Sequence, residues 1–205
     1  MSNLKALASD HVTAGILTGG GSRRFGQDKA SYAYKGQSLL EWTAQGASLM
    51  TDDIYLLVKN RHSVSSFLSG GDAPGFKILE DQFSVPTPLN GIHSIIPHVK
   101  EWLLLLACDI PFFQEDILRL LWEKRSPDKA AVIRTEGRYQ PFLGLYPVPV
   151  LKYWDEAFFA GNYHLQKILK AMPCTEIDEA ALESAGISMK QIANINSPAD
   201  LEGIA

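Results

Sequence analysis

Cysteine is scarce in this sequence. Cys108 and Cys174 are the only two among 205 residues, far apart and in no metal-ligand spacing. That argues against a disulfide framework or a cysteine-built zinc site and makes a reducing, cytoplasmic location the expectation. Long apolar runs are missing as well. The longest, residues 102–108, falls far short of the roughly 20 residues that cross a bilayer, and residues 1–10 hold no apolar core of the kind a signal peptide needs. Nor is there an excess of positive charge: 19 Lys and Arg stand against 23 Asp and Glu, a formal net charge of −4. An electrostatic footprint for nucleic acid or an anionic membrane is therefore not expected. The five histidines form no ligand pattern and read as surface or packing residues, and no serine sits in a G-x-S-x-G elbow, so covalent catalysis has no obvious nucleophile. What remains is an ordinary globular composition, 46% hydrophobic and 20% charged, of a length that fits one domain over residues 1–205.

Along the chain, β-type apolar runs alternate with segments of helical character, without repeats. Strands are expected at residues 12–17, 54–58, 76–79, 102–108, 130–134 and 142–146, and helices at 39–50, 62–68, 92–99 and 114–124, with a loop at 69–75. The run at 102–108 is apolar throughout, as a strand covered by helices on both faces must be. This alternation predicts an α/β fold, a three-layer α/β/α sandwich around a mostly parallel sheet.

The most informative stretch follows the first strand: Thr18-Gly19-Gly20-Gly21-Ser22-Arg23-Arg24-Phe25-Gly26-Gln27-Asp28-Lys29. Glycines at the carboxyl end of a buried strand can turn backbone N–H groups toward anionic oxygens at close range. Two familiar phosphate loops fail the test. A P-loop needs Lys and Ser or Thr after its last glycine, where Gln27 and Asp28 stand, and the dinucleotide fingerprint needs a third glycine where Arg24 stands. What is left is a longer loop that brings Arg24 and Lys29 to one phosphate chain, or a glycine-rich turn with solvated charges.

Other polar residues sit at strand ends. Asp109 closes the most buried strand, either as a turn residue before Pro111 or as a ligand for a hard cation over the sheet. Asp81 closes the third strand, where a loop cap would serve equally, and Asn60 follows the second, a common place for a turn residue. Pro86 and Pro88 define a loop that ends at Gly91. Asn194 and Asn196 flank Ile195, so an extended chain would present both amides on one side; Ser197 and Pro198 read as the start of a final helix.

The string from Leu17 to Lys29 resembles the signature of nucleotidyltransferases that attach a nucleoside monophosphate to molybdopterin, most closely the molybdenum cofactor guanylyltransferases. Leu17, Gly19, Gly20, Ser22, Arg24, Gly26, Asp28 and Lys29 match that pattern, while Thr18 and Phe25 depart from it. The likeness continues through Glu80-Asp81, Pro88-Leu89-Asn90-Gly91 (with Thr87 in place of a glycine), Ala107 to Pro111, Gln140-Pro141-Phe142 and Asn194 to Pro198.

The resemblance implies a Rossmann-like nucleotidyltransferase fold and transfer of GMP from GTP to the terminal phosphate of molybdopterin. It implies Arg24, Lys29 and Asp109 as catalytic residues, with Mg²⁺ on Asp109. Nucleotide binding falls to Leu17, Thr18, Gly19, Gly20, Gly21, Lys29, Asn60, Asp81, Leu89, Gly91 and Asp109, and acceptor binding to Asn194 and Asn196, whose amides can meet a pterin's donor and acceptor edge. Expected partners are the two small substrates, with transient contact to other cofactor-biosynthesis proteins or molybdoenzymes, and neither nucleic acid nor membrane. Two alternatives stay open: a nucleotidyltransferase using CTP or a sugar-phosphate acceptor, and a nucleotide-binding regulatory subunit without catalysis.

Overall fold

A computed structural model of the chain describes residues 3–18, 28–60 and 75–202. The first part of the chain contributes α1 (Leu4–Ala8), β1 (Val12–Leu17), a 3₁₀ turn (Lys29–Ser31), the hairpin β2 (Ala33–Tyr34) and β3 (Gln37–Ser38), α2 (Leu39–Ser48), β4 (Ile54–Val58) and β5 (Phe76–Glu80). Then come α3 (Pro88–Ile95), β6 (Trp102–Ala107), α4 (Glu115–Glu123), β7 (Ala130–Thr135) and β8 (Arg138–Pro147). The last part holds α5 (Val148–Phe159), α6 (Leu165–Ala171), β9 (Cys174–Ile177), α7 (Glu179–Ser184) and α8 (Ala199–Glu202). The helix expected at 62–68 and nearly all of the loop at 69–75 lie outside the described residues.

Seven strands form one sheet in the order β5-β4-β1-β6-β8-β7-β9. β5, β4, β1 and β6 run parallel to their neighbours, with Leu17 paired to Leu57 on one side and to Ala107 on the other. Because side chains alternate along each strand, this register sorts the core onto two faces. Ile16, Leu56 and Leu106 pack with Leu40 and Ala44 of α2 and Leu118 and Leu121 of α4. Leu17, Leu57 and Leu105 pack with Leu89, Ile92 and Ile95 of α3 and Trp154 of α5. Each such leucine, once fully buried, contributes about 2 kcal/mol. The expected three-layer α/β/α sandwich is therefore present.

β8 departs from the parallel pattern. It runs antiparallel to both β6 and β7. The cause is local: β7 and β8 are joined by Glu136-Gly137, both at positive φ (50° and 71°), a two-residue connection that can only fold the chain back on itself.

The helix expected at 92–99 also differs. It begins at Pro88, so Pro88-Leu89-Asn90-Gly91 is the first turn of α3 rather than a free loop. Thr87 caps it, its side-chain oxygen accepting the Leu89 amide at 3.4 Å, and Pro88 occupies the first helical position, where a missing N–H costs nothing. Pro97, which lacks the N–H that would continue the ladder, falls in a 3₁₀ turn (Ile96–His98) that ends the element.

Candidate active site

Four parallel strands put their carboxyl ends on one rim. Asp81 follows β5, Lys59 and Asn60 follow β4, Thr18 follows β1, and Cys108 and Asp109 follow β6. At about 4.8 Å per strand the rim from β5 to β6 covers roughly 14 Å. The chain passes from β1 outward to β4 and β5, then returns to β6 on the other side of β1. The crevice between β1 and β6 is thus a topological switch point, where open α/β sheets take their ligands.

The exit from β1 is held from both sides. The Thr18 amide and its Oγ1 both donate to the Leu57 carbonyl, at 3.2 and 3.0 Å, while the Cys108 amide donates to the Leu17 carbonyl at 3.2 Å. Leu17 and Thr18 are buried. Thr18 therefore fixes the point from which the glycine run starts. Gly19, Gly20, Gly21 and Arg24 themselves lie outside the described residues.

The chain re-enters at Asp28, whose carboxylate accepts the Ala30 amide at 3.0 Å and so caps the turn that presents Lys29. Lys29 Nζ stands 3.8 Å from Asp109 Oδ2, and the Lys29 side chain is only 13% exposed. The other oxygen of that carboxylate, Oδ1, is buried and has no hydrogen-bond partner among the described residues. Burial pushes the Asp109 carboxyl above its usual range, and the Lys29 cation works against that shift. Burial lifts the neighbouring Cys108 thiol to about 12, so it is an inert packing group and not a nucleophile.

At the other end of the rim the Asp81 amide donates to the Val58 carbonyl at 2.8 Å. Its carboxyl, partly stripped of water, is raised to about 6, with Lys59 opposing the shift. Gly91, in the first turn of α3, faces this group. A Cβ there would lie 2.9 Å from Leu17 Cδ2, 3.2 Å from Leu57 Cβ and 3.5 Å from Asp81 Oδ1, so the close approach of α3 to the rim requires glycine. Leu89 is fully buried beneath it. Asn60 is exposed just beyond β4.

The 194–196 segment crosses the end of β6. The Ile195 amide donates to the Asp109 carbonyl at 2.7 Å; Ile195 is buried, and Asn194 and Asn196 on either side of it are exposed. That is the alternation expected of two amides sharing a face. The Asn196 and Ser197 amides both donate to Asp200 Oδ2, at 2.6 and 2.9 Å. Ser197 lies two residues before α8, so the 194–196 segment is pinned by Asp200 from within the final helix.

The structure thus brings Leu17, Asp81 and Gly91 together at one end of the rim and Lys29, Asp109 and the 194–196 segment at the other. Asp28, which matches the signature in sequence, caps the turn of Lys29. Two residues that shape the rim carry weak sequence signals: the buried Asn90, and Asp200, which reads as one more helical acid. Among the described residues no three His, Cys, Asp or Glu side chains cluster as a preformed metal cage, and no helix is long and apolar enough to cross a membrane.

Sheet order, switch point and strand-end acids place the chain among open α/β proteins that bind their ligands at the strand ends. It belongs to the MobA-like NTP transferase domain family, whose sequence pattern matches residues 14–177. Among curated proteins it is 28% identical over 194 residues to the molybdenum cofactor guanylyltransferase of Pseudomonas syringae pv. syringae, covering 93% of this chain and 91% of that one. It is 29% identical over 168 residues to the probable molybdenum cofactor guanylyltransferase of Aquifex aeolicus, covering 81% and 79%. Among solved structures, molybdopterin-guanine dinucleotide biosynthesis protein A from Archaeoglobus fulgidus superposes with a TM-score of 0.76 at 22% identity over 94% of this chain and 96% of that one. The 2-C-methyl-D-erythritol 4-phosphate cytidylyltransferase of Francisella tularensis shares the fold, with a TM-score of 0.68 at 15% identity over 94% and 97%.

Proposed function

We propose that this chain transfers GMP from GTP to the terminal phosphate of molybdopterin, releasing pyrophosphate and forming the guanine dinucleotide of the cofactor. The observation that carries the reading is the meeting of Lys29, Asp109 and the 194–196 segment at the switch point, one strand end away from the glycine run. The names of the curated relatives support the same activity.

In this reading the triphosphate lies over Thr18 and the glycines that follow it, with Lys29 and Arg24 supplying positive charge. The base reaches toward Asn60, Asp81, Leu89 and Gly91. A carboxylate at Asp81 accepts hydrogen bonds, and guanine offers an adjacent ring N–H and amino group, whereas cytosine offers a single amino donor. Asn194 and Asn196 hold the pterin side of the acceptor, tied to Asp109 through Ile195. An oxygen of the acceptor phosphate forms the new bond to the α-phosphorus, the bond from that phosphorus to the β-phosphate oxygen breaks, and pyrophosphate leaves. A phosphate nucleophile is already ionised near neutrality, so positioning and charge neutralisation matter more than a general base.

Asp109 fits a magnesium ion. Its Oδ1 is buried without a partner among the described residues, and Mg²⁺ is commonly held by one or two carboxylates, with water and substrate phosphates completing its octahedron. Bound there with the triphosphate, it would neutralise charge on the phosphate oxygens. The reaction is assigned to the cytoplasm, in keeping with two free thiols, with the product passed on by transient contact with other cofactor-biosynthesis proteins or molybdoenzymes. Incubation with each of the four nucleoside triphosphates, Mg²⁺ and molybdopterin tests the proposal. Pyrophosphate is expected from GTP only when the acceptor is present. Release with CTP instead would reassign the donor, and nucleotide binding without any release would make the chain a regulator.

A further inference from the structure

Asn90 is fully buried, yet its side chain makes no bond to its own helix. It reaches back from the first turn of α3 to the preceding loop. Oδ1 accepts the Phe83 amide at 3.2 Å, while Nδ2 donates to the Phe83 carbonyl and, at 3.2 Å, to the Val85 carbonyl. One amide thereby satisfies both backbone groups of Phe83, as a neighbouring strand would. An alanine or leucine there would fill the space but give up all three bonds, leaving a loop whose residues 82–84 are exposed to be held by water alone.

Asp81 lies two residues before Phe83. Its amide is fixed to Val58 on one side, and the chain beyond it is fixed to Asn90 on the other. Gly91, the residue after Asn90, leaves the clearance into which the Asp81 carboxylate points. Adjacent residues of α3 therefore set both the room for this carboxylate and the course of the loop that carries it.

We propose that Asn90 is a positioning residue for nucleotide recognition: it holds the 81–85 loop so that the Asp81 carboxylate faces the nucleoside. The inference rests on the reading that Asp81 binds the nucleotide, and the two are separable by experiment. Asn90→Ser removes the reach to Phe83 and Val85. Asn90→Asp keeps the acceptor for the Phe83 amide but sets a carboxylate against two carbonyl oxygens. In both variants KM for GTP is expected to rise about tenfold, the scale of one or two buried side-chain hydrogen bonds, with kcat within about twofold of the parent. In the free protein, the Asp81 carboxyl, followed by carbon NMR, is expected to titrate lower than in the parent, because a loosened loop returns it to water. The parent chain itself gives a readout that needs no variant: the Phe83 amide should exchange with solvent as slowly as those of α3. A freely exchanging Phe83 amide, or folded variants with unchanged KM and unchanged Asp81 titration, would overturn the role of Asn90. If Asp81→Ala leaves GTP affinity intact while the Asn90 variants still shift the Asp81 titration, the assignment of Asp81 to the nucleotide is what fails.

Discussion

Lys29 Nζ and Asp109 Oδ2 stand 3.8 Å apart across the crevice between β1 and β6, although the two residues come from opposite sides of the glycine run and the central strand. The separation exceeds a direct hydrogen bond, and Asp109 Oδ1, buried with no hydrogen-bond partner among the described residues, keeps capacity for a third party. Asp109→Asn keeps the shape but removes the charge, and Lys29→Ala removes the cation. If both act on charge that develops in the transition state, each is expected to lower turnover by about 10²–10³ or more while circular dichroism stays unchanged. Pyrophosphate release by the soluble variants checks this.

Asp81 gives the stability of the chain a pH dependence of definite sign. Burial raises its carboxyl to about 6, so the folded chain keeps a proton that the unfolded chain releases at an ordinary carboxylate pKa. Its contribution to stability is intact below that ordinary range and is lost as pH rises through about 6. Asp81→Asn should therefore be more stable than the parent at neutral pH, by on the order of 1 kcal/mol given solvent screening, and should match it near pH 4. The same variant should bind GTP more weakly. Denaturant unfolding at acid and neutral pH, beside GTP titration, measures both effects.

Gly91→Ala places a methyl group 2.9 Å from Leu17 Cδ2 and 3.2 Å from Leu57 Cβ, against the well-packed face of β1 and β4. The expected cost is about 1–3 kcal/mol of folding stability, with weaker GTP binding because α3 must move away from the rim. Thermal unfolding with and without GTP would record both.

Asp200→Ala frees the Asn196 and Ser197 amides. If the 194–196 segment holds the acceptor, KM for molybdopterin should rise several-fold while the Kd for GTP stays the same. The loss of charge-assisted bonds to two amides is worth on the order of 1–2 kcal/mol. Equal effects on both substrates would point to a general loosening of the rim.

The rim was legible in the sequence because buried parallel strands read as unbroken apolar runs, and residues 102–108 state this plainly. Asp109, which closes this run, follows at once, whereas Asp81 ends the edge strand β5, whose apolar run is broken by Lys77 and marks its boundary less sharply. Helix α3 was half legible. Thr87 and Pro88 are a cap and a first-turn proline, but Pro86 beside them suits a loop equally well, and from sequence alone residues 88–91 read as part of one. The direction of β8 depends on the two-residue turn at Glu136-Gly137, a pair less telling than Asn-Gly. Asn90 was beyond reach, because its three partners are backbone groups of a loop whose path no local pattern encodes. Asp200 was hidden similarly: a helical acid becomes a clamp only when the chain before it lies against β6.

The most direct test of the account follows the phosphorus. With GTP labelled at the α-phosphate, the chain, Mg²⁺ and molybdopterin should yield label in the guanine dinucleotide and none in pyrophosphate, while γ-labelled GTP should yield labelled pyrophosphate. Label from γ-labelled GTP appearing as free phosphate, with GDP left behind, would mean that the chain cleaves a different bond and that Lys29 and Asp109 serve another reaction.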